Sequence, residues 1–372
     1  MSLLFEPLTL RGVTAHNRIW LPPMCQYSAT DGVVGDWHLI HLGARAAGGF
    51  GLIVAEATAV VPEGRITPQD AGLWNDEQAE AWSWVTDAVH GRGAAIGVQL
   101  GHAGRKASTW RPFGEGTGSV PSAQGGWQTV APSPDAFPGL AAPVALSDEQ
   151  VAAIPAAFAA ATRRARLAGF DFVEIHAAHG YLLHQFLSPL SNHRTDRWGG
   201  SPANRARLLF AVVDEVRAAL PEDAPLVVRI SATDWTDGGL TFEDTGAVAA
   251  GLRERGVDLI DVSTGGNVPA TLPLGPGYQV PAARAIREAS GLPVTAVGLI
   301  ATPADAERVL AEGSADAVMI GRAALRDPSW PLRAAHELGV ELATVKHEGD
   351  DARILPGQPT GWPAQYLRGA WG

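Results

Sequence analysis

Residues 226–263, LVVRISATDWTDGGLTFEDTGAVAAGLRERGVDLIDVS, contain the unit from which most of the chain is built. An apolar run at 226–231 precedes an amphipathic segment that Thr241 opens and Gly256 ends. A second apolar run follows at 259–263. Short runs rich in Val and Ile that alternate with longer amphipathic segments are typical of parallel strands joined by crossover helices. The stretch therefore predicts one strand–helix–strand unit.

The same alternation continues on both sides of this unit. Predicted strands occupy residues 19–25, 51–57, 95–99, 172–176, 226–231, 259–263, 293–297 and 317–320. Predicted helices occupy residues 36–47, 76–89, 147–168, 201–220, 241–256, 280–289, 302–310 and 331–338. Asp76 is the predicted N-cap of the second helix, and Ser147 with Gln150 is a capping box that starts the third.

Eight strand–helix units are the number that closes a (β/α)8 barrel. The alternative is a doubly wound open sheet, but no G-x-G-x-x-G turn follows the first strand. We therefore expect an α/β protein, a TIM barrel that forms one domain over residues 1–372. Much of the chain beyond a plain barrel falls in an inserted lid or hairpin at about 101–146 and a C-terminal tail at about 339–372.

Composition and charge exclude several classes of protein. The formal net charge of −11 lacks the basic surplus of a nucleic-acid-binding protein. Cys25 is the only cysteine, which excludes a disulfide framework, a cysteine-based zinc site and a Cys-ligated iron–sulfur cluster. The N-terminus lacks a signal-peptide pattern, and no apolar run approaches about 20 residues. We expect a cytoplasmic protein that binds neither nucleic acid nor membranes.

The end of the fourth predicted strand carries two histidines and a tyrosine, in a place where barrels keep their active groups. The N–H groups of His176 and His179 could hold a carbonyl or nitro oxygen and stabilise charge that develops on it. Tyr181, a weak acid with a reference pKa of about 10, could supply a proton. Metal binding by the two histidines and His184 is an alternative, although no carboxylate stands at helical spacing from them. A buried structural histidine is the other alternative.

Other strand ends carry polar or glycine residues as well. Gly298, Gly321 and Arg322 follow the last two strands, whose loops bind phosphate in many barrels. A turn glycine and a surface arginine would look the same. Gln99 and Arg229 are polar residues on otherwise apolar strands. They suit the hydrogen-bonding edge of a heterocycle or, equally, an interior polar network.

Two further side chains have reactive chemistry. Cys25 could be a nucleophile, but no Cys–His signature surrounds it, and a small buried residue is the simpler interpretation. Lys106 as a Schiff-base lysine would have to be buried near the site. Its neighbours, Arg105 among them, are polar, so the sequence disfavours this role.

Several stretches, in order along nearly the whole chain, resemble the Old Yellow Enzyme family of flavin-dependent ene reductases, in particular its thermophilic-like branch. They are PPMCQYS at 22–28, WHLIH at 37–41, QLGHAGRK at 99–106, HAAHGYLLHQFLSP at 176–189 and RTDRWGGS at 194–201.

The resemblance implies FMN, bound non-covalently at the barrel mouth, and NADPH or NADH as the reductant. It implies an NAD(P)H:alkene oxidoreductase with ping-pong kinetics. Hydride would pass from the flavin to the C=C bond of activated alkenes such as α,β-unsaturated ketones and aldehydes. His176 and His179 match the pair that binds the activating carbonyl, and Tyr181 matches the proton donor.

The resemblance also assigns binding residues. Cys25 and Tyr27 match substrate contacts. The matching cofactor contacts are Pro23, Met24, Cys25, Ala57, Gln99 and Arg229 around the flavin ring, with Gly298, Gly321 and Arg322 at the phosphate. No metal is implied.

Arg368 matches an arginine that reaches the neighbouring subunit's site, which implies a homodimer or homotetramer.

Two other functions stay open as alternatives to the ene reductase. One is a flavin barrel that reduces uridine in tRNA, which the acidic balance of the chain disfavours. The other is a flavin-free lyase or hydrolase barrel.

Overall fold

The computed structural model describes residues 2–114, 116–342 and 361–371. In chain order its strands are β1 (Leu8–Leu10), β2 (Val13–Ala15), β3 (Ile19–Leu21), β4 (Leu52–Ala59), β5 (Ala95–Gly101), β6 (Val130–Ala131), β7 (Val144–Ala145), β8 (Phe172–Ala177), β9 (Leu226–Ser231), β10 (Leu259–Ser263), β11 (Val294–Ala296) and β12 (Ala317–Met319). Eight of them, in the order β3–β4–β5–β8–β9–β10–β11–β12, form a closed parallel barrel. The predicted (β/α)8 fold is confirmed.

Ten α-helices lie in the described part of the chain. They are α1 (Asp36–Ala47), α2 (Asp76–His90), α3 (Asp148–Leu167), α4 (Leu182–Leu187), α5 (Pro202–Ala219), α6 (Phe242–Arg253), α7 (Val280–Ser290), α8 (Pro303–Ala311), α9 (Arg322–Arg326) and α10 (Trp330–Glu337). The short helices α4 and α9 were not predicted, because one or two turns carry too little periodicity to be recognised. None of these helices is long and apolar enough to cross a membrane.

Helix starts follow the capping chemistry of the sequence, with one correction. The Ser147–Gln150 capping box is present at α3. The N-cap of α2, however, is Asn75 and not Asp76: Oδ1 of Asn75 accepts the N–H of Gln78 at 3.0 Å. Asn75 has the extended backbone of an N-cap, whereas Asp76 is already the first helical residue.

The amino end of the barrel is closed by a hairpin that was not predicted. Strands β1 and β2 pair antiparallel, with Leu8 opposite Ala15. Leu10 and Ala15 pack into an apolar cluster with Trp20 and Leu259 of the barrel strands. Because this end is plugged with apolar side chains, the polar carboxyl end is the one open to ligands.

The register of the sheet aligns polar residues at the carboxyl end. Ser231 of β9 pairs with Ser263 of β10, and His176 of β8 pairs with Arg229 of β9. The segment 101–146 follows β5 at this same end. It contains an antiparallel bridge between Thr109 and Ser119 and the short parallel pair β6–β7. Of the predicted tail, residues 343–360 and 372 lie outside the described residues.

Candidate active site

His176, His179 and Tyr181 converge at the end of β8. The ring centroid of His176 lies 5.2 Å from that of His179 and 4.9 Å from that of Tyr181, both with edge-on geometry. A small pocket borders His176 and Tyr181, and Thr58 and Asp70 line it as well. The structure therefore brings the three predicted residues together, two of them at this pocket.

An unusual backbone turn positions His179. Its φ of 57° and the φ of 73° at Gly180 are left-handed. A Cβ at Gly180 would lie 2.3 Å from the carbonyl oxygen of Gly266, so only glycine fits there. The turn is held on both sides, since Gly180 N–H donates to Nδ1 of His184 at 2.9 Å and the side-chain amide of Gln185 donates to Gly180 O at 2.7 Å.

Both imidazoles are held neutral. Burial, and then the charge of Arg229, lowers the pKa of His176 and of His179 well below the usual value. Nδ1 of His176 accepts the N–H of Ala178 at 3.3 Å, so its proton is on Nε2. Nε2 of His179 hydrogen-bonds with Oγ of Ser263 at 2.7 Å. A neutral imidazole keeps one N–H, which suits a hydrogen-bond donor to a carbonyl oxygen.

Tyr181 is held in its protonated form. Burial raises the pKa of this phenol well above its usual value, and negative charge on Cys25, Tyr27 or Asp70 would act in the same direction. Asp70 is itself buried. Burial raises the pKa of Asp70 to about 7, although Thr67 donates to the carboxylate at 2.7 Å.

The loop after β3 brings Cys25 and Tyr27 to the same end of the barrel. A hydrogen bond from Gln26 N–H to the Glu56 carboxylate at 2.9 Å anchors the loop. Tyr27 has a left-handed φ of 52°, and its phenol lies near enough to the Cys25 thiol for each group to affect the pKa of the other. Burial raises the pKa of the Cys25 thiol well above its usual value, with the charges of Asp70 and Glu56 as smaller causes. A protonated thiol is a poor nucleophile, which disfavours that role for Cys25.

Gln99 and Arg229 belong to a set of buried polar side chains on five neighbouring strands of the barrel, from β5 to β11. Nε2 of Gln99 donates to Glu174 at 2.7 Å, and Nε of Arg229 is paired with Asp261 at 2.9 Å. Thr295 Oγ1 donates to the other oxygen of Asp261 at 2.6 Å. No hydrogen bond from the described residues reaches the two terminal nitrogens of Arg229, which leaves them for a ligand above the network.

The loops after β11 and β12 fit a phosphate. Gly298 has a φ of 119°, which favours glycine, and Gly321 is the N-cap of the short helix α9. No backbone bond within the described ranges uses the N–H of either glycine. Arg322 begins α9 and its side chain is exposed. Two free N–H groups and a guanidinium on neighbouring strand ends form a suitable anion site.

The remaining predicted residues are placed as follows. A Cβ at Gly321 would lie 3.9 Å from Sδ of Met24, so the loop that contains Pro23 and Met24 borders the phosphate side. Ala57 lines the cavity beside Tyr181. Arg368 lies on an exposed 3-10 helix, Ala364–Gly369, away from any partner within the described chain.

Sequence reasoning missed several residues of the site. Ser231 Oγ accepts the N–H of His179 at 2.9 Å, and Ser263 contacts the ring of the same residue. Both serines end predicted strands, which was the available signal. Lys106 was disfavoured, yet its Nζ lies 5.1 Å from the ring centroid of Tyr181.

Metal binding has less support in the geometry. Among the residues that the structure describes, no three His, Cys, Asp or Glu side chains are grouped so that they could hold a metal ion. His184, considered as a third ligand, pairs with Asp234 at 3.0 Å.

A parallel barrel with a neutral histidine pair, a buried arginine and free N–H groups at its last two strand ends suits an oxidoreductase that binds a phosphate-bearing cofactor at the barrel mouth. Gln99 and Arg229 suit the polar edge of the flavin ring, and the loops at Gly298 and Gly321 suit the FMN phosphate.

Comparisons with known proteins agree with this class. Residues 3–341 match the model of the NADH:flavin oxidoreductase / NADH oxidase family. The chain is 47% identical over 351 residues to an NADPH dehydrogenase of Geobacillus thermodenitrificans, covering 93% of this chain and 98% of the relative. An NADPH dehydrogenase of Bacillus subtilis is 47% identical over 349 residues, with the same two coverages of 93% and 98%.

Solved structures give the same result. Morphinone reductase in complex with tetrahydroNAD has a TM-score of 0.75 and 29% identity, over 91% of this chain and 92% of that one. The old yellow enzyme homologue from Zymomonas mobilis has a TM-score of 0.75 and 30% identity, over 91% and 94%. The chain belongs to the NADH:flavin oxidoreductase / NADH oxidase family, as an Old Yellow Enzyme family member. It is an FMN-dependent NAD(P)H oxidoreductase.

Proposed function

We propose that this enzyme reduces the C=C bond of activated alkenes, such as α,β-unsaturated ketones and aldehydes. The observation that carries the proposal is the convergence of neutral His176 and His179 with protonated Tyr181, whose rings lie 5.2 and 4.9 Å from that of His176. Two uncharged donors suit a carbonyl oxygen, and a protonated phenol beside them suits a general acid.

The histidines activate the substrate by hydrogen bonding. Nε2–H of His176 donates to the carbonyl oxygen. His179 contributes Nδ1–H when the Ser263 hydroxyl donates to Nε2 of His179 at 2.7 Å and not to Oε1 of Gln279, its other partner at 3.2 Å. The two bonds draw electron density toward the oxygen and make the β-carbon electrophilic.

Tyr181 completes the reduction by giving its proton to the α-carbon. Bound FMN, once reduced by NAD(P)H, would supply the hydride for the β-carbon. Nicotinamide and alkene would use the same pocket in turn, which gives ping-pong kinetics. Cys25 and Tyr27 would contact the substrate from the loop after β3. Pro23, Met24, Ala57, Gln99 and Arg229 would hold the flavin ring, and Gly298, Gly321 and Arg322 its phosphate.

The test is an anaerobic absorption experiment on the purified holoenzyme. NADPH is expected to bleach the flavin bands, and 2-cyclohexenone is expected to restore them. Bleaching without recovery on the enone would refute the alkene as substrate and leave the flavin oxidoreductase in place. The same titration with NADH determines the preferred reductant.

The proposal extends to assembly as a homodimer or homotetramer. Trp37 and Ile40 lie one turn apart on α1 with exposed fractions of 51% and 58%. Trp37 Nε1 donates to Oε1 of Gln26 at 2.9 Å, so this apolar surface adjoins the loop of Cys25. Tyr366 and Arg368 are exposed on the 3-10 helix of the tail. A second copy whose tail covers this surface would bring its arginine to the site.

We place the enzyme in the cytoplasm, where NAD(P)H is available.

Replacing Arg368 with Ala is expected to weaken the binding of a phenolic ligand, because the partner's guanidinium no longer contacts it. The measurement is a flavin-absorbance titration of the holoenzyme together with its mass by light scattering. Arg163→Ala is the control, since Arg163 is exposed on α3. A monomeric wild-type enzyme with full activity would contradict the role of Arg368.

A further inference from the structure

Lys106 extends from the end of the 3-10 helix Gly104–Lys106, just after β5, toward the loop after β8. Its Nζ donates to the carbonyl oxygens of His179 at 2.8 Å and Gly266 at 3.1 Å. The same atom lies 5.1 Å from the ring centroid of Tyr181 and 4.8 Å from that of Phe137. The ammonium is thus fixed against the face of the phenol that we assign as the proton donor.

This ammonium has no acidic partner within the described residues, where its contacts are two carbonyls and two aromatic rings. The adjacent charged residue is Arg105, which repels it. A partly buried charge without a counter-ion raises the free energy of the folded protein. An anion that formed beside Lys106 during the reaction would offset this cost.

Tyr181 is the group on which such an anion forms. When its O–H bond breaks and the proton bonds to the α-carbon, the phenol becomes a phenolate. Burial opposes this charge, and so would negative charge on Cys25, Tyr27 or Asp70. Within the described chain, Lys106 is the cation in contact with the ring. A cation over an aromatic face is attracted more strongly once the ring carries negative charge.

We propose that Lys106 is a positioning residue that stabilises the phenolate of Tyr181 as its proton passes to the alkene. The proposal rests on the proposed function, since it needs Tyr181 to be the acid. Lys106 acts through Tyr181 and itself gives up no proton. After the product leaves, the phenolate takes a proton from water and the cycle closes.

The charge of Lys106 is expected to be lost within the usual assay range. Burial, and then the charge of Arg105, lowers the pKa of Lys106 to about 8. The cation is therefore present below pH 8 and lost above it. Tyr181 stays protonated throughout, and His176 and His179 stay neutral. Reoxidation by an enone should accordingly slow as the pH rises through about 8.

The experiment compares Lys106→Gln, Lys106→Met and Lys106→Arg as holoenzymes. Gln keeps an N–H donor for the two carbonyls without the charge, and Arg keeps the charge at every assay pH. Stopped-flow absorbance follows reoxidation by 2-cyclohexenone and by 1,4-benzoquinone, whose product takes its protons on oxygen from water. A phenol titration reports ligand binding at the histidine pair.

At pH 7, Lys106→Gln and Lys106→Met are expected to slow reoxidation by the enone roughly tenfold or more. A factor of about ten corresponds to raising the pKa of Tyr181 by one unit. The benzoquinone rate and the phenol affinity should change little, and the decline near pH 8 should disappear. Arg should retain the rate and remove the decline. Adding Lys106→Gln to Tyr181→Phe should not slow reoxidation by the enone any further, because both changes act on the same proton transfer.

Two results would overturn the assignment of Lys106. One is an unchanged enone rate in Lys106→Gln while Tyr181→Phe is slow. The other is an equal loss of the enone rate, the benzoquinone rate and the phenol affinity. That result would mean that Lys106 only holds the loops after β5 and β8 together. If Tyr181→Phe itself has no effect, the proposed function fails, and the two failures are distinguished.

Discussion

Replacing Tyr181 with Phe will slow reoxidation of the reduced enzyme by 2-cyclohexenone by about 10²- to 10⁴-fold, the usual contribution of a general acid. The change removes only the hydroxyl group. The ring that contacts His176 at 4.9 Å and Lys106 at 5.1 Å remains, so the pocket should keep its shape. Reduction of the enzyme by NADPH needs no proton from Tyr181, and its rate should be preserved.

Stopped-flow absorbance separates the two half-reactions in this experiment. Tyr278→Phe is the matched control, because it also removes only a phenol hydroxyl and Tyr278 is not among the proposed substrate or flavin contacts. Its loss should affect the rate far less. Equal enone rates in Tyr181→Phe and wild type would show that the proton comes from elsewhere.

The barrel could be predicted from sequence because its evidence is local. Strands β9 and β10 and helix α1 occupy the predicted residues. Each is long enough for its pattern of apolar residues to be recognised, and each ends at polar residues or glycine. The hairpin β1–β2 could not be predicted, because its three-residue strands show no period and are stabilised by Trp20 and Leu259 in the barrel. The N-cap of α2 was wrong by one position because Asn75 and Asp76 are both good capping residues and only backbone geometry distinguishes them.

The site was predictable in its location and less so in its chemistry. The rule that barrels bind ligands at the carboxyl ends of strands was enough to group His176, His179 and Tyr181. Their protonation depends on residues distant in the chain. The contact between His179 and Ser263, for example, spans 84 positions. Lys106 was disfavoured because its sequence neighbours are polar, yet the fold turns it toward Tyr181.

We expect the loss of one partner of the buried Arg229–Asp261 pair to reduce stability more than the loss of any exposed ion pair. Asp261 is 0% exposed and Arg229 is 6% exposed. Burial, and then the charge of Asp261, raises the pKa of Glu174 to about 8, so Glu174 is mostly uncharged at neutral pH. Asp261 is therefore the anion that Arg229 compensates, at 2.9 Å.

Replacing Arg229 with Met will lower the free energy of unfolding by about 3–5 kcal/mol at pH 7, the usual cost of leaving one partner of a buried pair uncompensated. Met fills most of the space but carries no charge, so Asp261 keeps only the hydrogen bond from Thr295.

Urea denaturation of the FMN-free protein measures this loss without a contribution from flavin affinity. The decisive control is Arg229→Met combined with Asp261→Asn. This second change removes the uncompensated charge and should recover most of the stability, because the cost comes from the stranded carboxylate and not from the missing guanidinium. A double variant as unstable as Arg229→Met alone would mean that Arg229 stabilises the barrel by packing. The ion pair with Asp261 would then have no part in it.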